Sequence, residues 1–127
     1  MKHWHAYTYA GRTHTDSERR TGIAPSTYPP FLVRDWLQRP QAHIAGTFAE
    51  PDAAAAWLRT ELDAHPPVDV AAFTVEDRMR WVRLRLDQED GADVVSGYYT
   101  AGGQYLSRAL IRCRPSQDGA ARCPAVR

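Results

Sequence analysis

The cleanest periodicity in this chain of 127 residues is an alternation, Arg80-Trp81-Val82-Arg83-Leu84-Arg85-Leu86-Asp87. Val82, Leu84 and Leu86 share one parity; Trp81, Arg83 and Arg85 share the other. That is the two-residue period of a half-buried strand. Two β-rich stretches follow, 93–100 and 104–113, separated by Ala101-Gly102-Gly103, and together they read as a hairpin with a glycine turn. Leu106, Ala109, Leu110 and Cys113 also fit helical spacing, but the glycines before them favour a strand. The apolar run 68–75 supplies one more strand. Consecutive late strands form an antiparallel meander.

The first half of the chain is mixed. Residues 3–9 (HWHAYTY) read as a strand with Trp4, Ala6 and Thr8 on one side and His3, His5, Tyr7 and Tyr9 on the other. A polar connection, 11–28, follows, with room for one helical turn at 16–20. Pro29 and Pro30 suit the first turn of a short helix over 31–39, with Leu32, Val33, Trp36 and Leu37 as its stripe and Pro40 as its stop. Residues 41–49 read as a strand. The clearest helix spans 52–64, with acids at its start and Ala54, Ala55, Leu58 and Leu62 as its buried stripe. The expected fold is therefore α+β. It has a mainly antiparallel sheet of four to six strands, in the order β-α-β-α-β-β-β-β, with two helices on one face. Residues 1–114 form a single domain, and 115–127 form a flexible tail.

No apolar run is long enough to span a bilayer, and the polar start lacks the apolar stretch of a signal peptide, so a cytoplasmic location is expected. Two cysteines ten positions apart, with no second pair, lack familiar zinc spacing. Cys113 reads as a buried thiol and Cys123 as a tail residue. Fifteen arginines stand against the single Lys2, a composition typical of a GC-rich genome, yet the net charge is only +1.

Two constellations carry chemistry. If residues 80–113 lie as a sheet, Trp81, Arg83, Arg85, Arg108 and Arg112 form an Arg/Trp-rich face. Such a face suits a protein partner or single-stranded nucleic acid, through guanidinium–phosphate contacts and base stacking. Near-zero net charge favours the protein partner. An edge strand could also pair two copies into a homodimer. The leading expectation is a non-enzymatic regulatory or binding protein with no membrane contact and no cofactor.

The second constellation is His3-Trp4-His5. Two imidazoles on one side of a strand can hold a divalent metal. The triplet is similar to the His-hydrophobic-His motif of metal-dependent nucleases that nick single strands with a tyrosine. That resemblance implies a small metal-dependent enzyme with a third ligand and a tyrosine nucleophile on a helix. No tyrosine here lies on an expected helix. A small-molecule pocket lined by Tyr7, Tyr9, Tyr98 or Tyr99 is a third possibility.

Overall fold

The computed structural model describes residues 2–114 and 123–126. Four strands form one antiparallel sheet: β1 (Trp4–Gly11), β2 (Gly46–Phe48), β3 (Val94–Tyr99) and β4 (Tyr105–Arg112). Their spatial order is β2-β1-β4-β3. The β3–β4 hairpin turns through Gly103, whose φ of +85° lies in the left-handed region that glycine enters without steric cost. The long β1–β4 pairing joins the first strand to the last, with Trp4 opposite Arg112 and Gly11 opposite Tyr105.

The helices α2 (Pro51–Ala64) and α3 (Val75–Leu86) cover one face of this sheet. The α+β class, the antiparallel sheet and the packing of two helices on one face follow the sequence expectation, although the second helix is α3 and not the expected 31–39. The core between them holds Trp4 and Ala6 from β1, Leu58 and Leu62 from α2, Val82 and Leu86 from α3, and Leu106 and Leu110 from β4. Each fully buried leucine contributes roughly 2 kcal/mol relative to exposure. The parity of β1 is as the sequence indicated, because Tyr7 lies on the opposite face. There Trp36 and Leu37 cover Tyr7, Ala109 and Ile111.

Several elements differ from expectation. Residues 80–87 are not a strand but lie mainly within α3. Its buried residues, Met79, Val82 and Leu86, follow the helical repeat, and a Thr74–Asp77 capping box sets its start. The alternation arose because Leu84, apolar and midway between the buried Val82 and Leu86, sits on the wet side of the helix. Residues 68–74 form turns rather than a strand. They touch the sheet where Val68 N–H donates to the Tyr99 carbonyl and Pro67 bridges Thr100. The strand expected over 41–49 contracts to β2, and the helix expected over 31–39 is a 3-10 turn, Val33–Gln38, on the face opposite α2 and α3.

The long connection contains the short helix α1 (Asp16–Arg20) with its own capping box, Thr15 to Glu18. Arg39 donates to the Ser26 and Tyr28 carbonyls, and Arg19 packs over the Phe31 ring, so arginines hold this segment down. Of the expected tail, 115–122 and 127 lie outside the described residues. Residues 123–126 include a short turn, with Pro124 buried and Gln41 donating to the Ala125 carbonyl at 2.9 Å. No described helix is long and apolar enough to cross a membrane.

Candidate metal centre

The β1–β4 register determines which side chains meet at the sheet corner. Cys113 N–H donates to the His3 carbonyl at 2.9 Å, which extends the ladder one pair beyond Trp4 and Arg112. Residues facing each other across antiparallel strands put their side chains on the same face. His5, two positions after His3, shares that face by alternation. Three potential ligands are therefore gathered by backbone pairing alone. The fourth, Cys123, arrives from the C-terminal segment.

The donor atoms converge. His3 Nε2 lies 3.2 Å from His5 Nε2, and Cys123 Sγ lies 3.1 Å from His5 Nε2 and 3.6 Å from His3 Nε2. One ligand atom from each of His3, His5, Cys113 and Cys123 falls within 4.8 Å of all the others. In a tetrahedral zinc site, bonds of about 2.05 Å to nitrogen and 2.3 Å to sulfur place nitrogens about 3.3 Å apart and nitrogen about 3.6 Å from sulfur. Two of the three separations match closely, and the third is half an ångström short. Both cysteines are thiols rather than a disulfide.

His5 is oriented from behind. Its Nδ1 lies 2.9 Å from Thr47 Oγ1, a residue directly opposite it on β2. With Nε2 directed at the cluster, Nδ1–H donates to that hydroxyl, the arrangement that fixes a ligating imidazole. Burial, aided by the nearby His3, lowers the His5 pKa from 6.5 to about 4. The ring is therefore neutral near pH 7 and presents a lone pair. Sulfur and imidazole donors without a carboxylate suit Zn²⁺ and disfavour calcium or magnesium, which require oxygen.

His3 and His5, expected from sequence as metal ligands, are brought together, and the two cysteines, whose spacing in the sequence lacks a zinc pattern, join them. The register was the missing signal for Cys113. Nothing local to Cys123 indicates that its segment returns to β1. The features implied by the nuclease resemblance do not appear: the cluster is completed by sulfur, and among the described residues no tyrosine lies on an α-helix.

The residues expected on one Arg/Trp face are separated. Trp81 and Arg85 lie one helical turn apart on α3, and Trp81 is 65 % exposed. Arg83 points elsewhere on that helix and pairs with Asp52 and Asp87. Arg108 does stand on the β4 parity expected, but α2 covers that side. It is 6 % exposed, donates to the Tyr9 carbonyl and lies 3.3 Å from Glu61. Arg112 is engaged with the Asp90 carbonyl and carboxylate. A composite five-residue surface is thereby ruled out, because it required 80–87 to be part of the sheet.

No protein-family model, no curated protein and no solved structure matches this chain.

Proposed function

We propose that this protein binds one Zn²⁺ ion through His3, His5, Cys113 and Cys123, and that the ion is structural. The observation that carries this reading is the convergence of four sulfur and imidazole donors, from both ends of the described chain, within 4.8 Å. Four protein ligands complete a tetrahedral shell, whereas a catalytic zinc keeps one position for water or substrate. The ion clamps the segment after Cys123 onto the β1–β4 corner. The thiolates it requires persist in a reducing compartment, in keeping with a cytoplasmic location.

On this reading the domain is a zinc-stabilised, non-enzymatic binding protein. A protein partner fits better than single-stranded nucleic acid, because Arg83, Arg108 and Arg112 each have an acidic partner within the chain. The alternative of a small metal-dependent enzyme needs an open coordination position that this donor set does not leave. Metal analysis of protein purified without chelator tests the proposal. One zinc per chain, lost in a His5→Ala/Cys123→Ser variant, is expected. Metal-free wild-type protein that also fails to take up added zinc would overturn it.

A further inference from the structure

β3 is an edge strand, and both ends of its outer side are already occupied. The Asp93 carbonyl accepts from Arg85 Nε at 2.7 Å, and the Tyr99 carbonyl accepts from Val68 N–H at 2.7 Å. Backbone groups point alternately to the two sides of a strand. Val95 and Gly97 therefore direct their N–H and C=O groups outward as well. Among the described residues none pairs with them on that side. Both residues are exposed. Proteins ordinarily blunt such an edge with a proline, a lysine, a bulge or a cover; this stretch, Val-Ser-Gly, has none of these.

A groove of about 520 Å³ runs beside that edge. Phe73, Trp81 and Val82 form its wall on the helix side, and Val33 approaches from the other face of the sheet. Trp81, Val95 and Val33 are 65 %, 49 % and 40 % exposed, so the apolar surface here is uncovered. An extended chain lying along β3 would alternate its side chains between the Trp81 wall and the Val33–Val95 side.

The groove is also cationic. Arg78 lines it, stacked over Phe73, with one nitrogen on Asp69 and its Nε buried without a hydrogen-bond partner. Arg85 lines it too, and its contact within the described chain is to a backbone carbonyl rather than a carboxylate. The Asp93 carboxylate turns away, to Arg112 N–H and Arg114.

We propose that this groove binds an extended acidic peptide segment of a partner protein by strand addition to β3. Val95 and Gly97 supply the backbone bonds, Trp81 and Phe73 receive alternate apolar side chains, and Arg85 meets a carboxylate. Edge-to-edge pairing of two copies would add a second Arg78 and Arg85 to the same seam without a disengaged acid, so the charges favour a separate segment. This proposal does not depend on the metal, and its test uses the protein as purified.

The probe is the blocked peptide acetyl-Glu-Thr-Val-Thr-Val-Thr-Glu-amide, whose Glu and Val side chains share one face, titrated into ¹⁵N-labelled protein. Saturable shifts centred on the Val95 and Gly97 amides and the Trp81 indole are expected. N-methylation of the Val residues and of the Thr residues blocks opposite edges of an extended strand, so one of these peptides should lose binding and the other keep it. Replacing both Glu by Lys should weaken binding severalfold, and Arg85→Glu should reverse that preference. Absence of shifts, survival of both methylated peptides, or indifference to charge would overturn the proposal. So would Val95 and Gly97 resonances that move with protein concentration alone, which would mark a homodimer through this edge.

Discussion

His3 and Cys113 face each other across the antiparallel seam between the start of β1 and the end of β4, the amide of Cys113 bonded to the carbonyl of His3 at 2.9 Å. That single pair brings the beginning of the described chain to its last strand. The candidate ion then adds the segment beyond Cys123. Three of the four ligands sit where the sheet already holds them, so the metal should stabilise a domain that also has its own core.

Removing the ion should therefore lower stability without abolishing the fold. At free zinc a thousandfold above its dissociation constant, linkage predicts a loss of about 4 kcal/mol on chelation. Thermal unfolding with and without a chelator measures this. A chelated protein with unaltered melting, from a sample shown to have carried zinc, would contradict a structural ion.

Gly91→Ala should be strongly destabilising. Gly91 has φ +71°, and an added Cβ would lie 2.5 Å from the buried Trp4 ring. Left-handed strain and overpacking together predict a cost of about 2–4 kcal/mol, readable by denaturant unfolding. A cost under about 0.5 kcal/mol would show that the Trp4 pocket is looser than described.

The assignment of 75–86 as helix α3 separates substitutions sharply. Leu86→Ala should cost about 2–5 kcal/mol, and Thr74→Ala, which removes the cap, about 1 kcal/mol. Trp81→Ala and Leu84→Ala should stay within about 0.5 kcal/mol, since both side chains face water. A strand would have put Leu84 and Leu86 on the same side with similar costs, so equal losses at the two positions would contradict the helix.

These positions show where the sequence was readable. The hairpin, the parity of β1 and helix α2 were legible because each carries a single clean period and a turn or proline at its ends. Helix α3 was not, because Leu84 places an apolar side chain on its outer face and overlays a two-residue period on the heptad-like set Val75, Met79, Val82 and Leu86. The Thr74–Asp77 capping box was the local signal that could have decided the matter. Two expected metal ligands were visible in His3 and His5. Cys113 needed the strand register, and Cys123 needed a return of the chain that only long-range contacts specify.

The capping of α1 should be acid-sensitive. The Arg12 hydrogen bond, and next the Thr15 N–H, hold the Glu18 carboxyl down from 4.5 to about 2. A depressed carboxylate stabilises the folded form above its unfolded pKa, and that contribution disappears as pH falls from about 4.5 towards 2. Carbon-detected titration of Glu18 should give a midpoint near 2, and proteolysis within 11–28 by an acid-active protease should increase over that window. A midpoint near 4.5 would mean that the Arg12–Glu18 pair does not hold in solution.

The most direct measurement is zinc K-edge X-ray absorption on the protein as purified. Two nitrogen neighbours at about 2.05 Å and two sulfur neighbours at about 2.3 Å are predicted. A shell of nitrogen and oxygen alone, or no protein-bound zinc even after its addition, would contradict a metal centre built from His3, His5, Cys113 and Cys123.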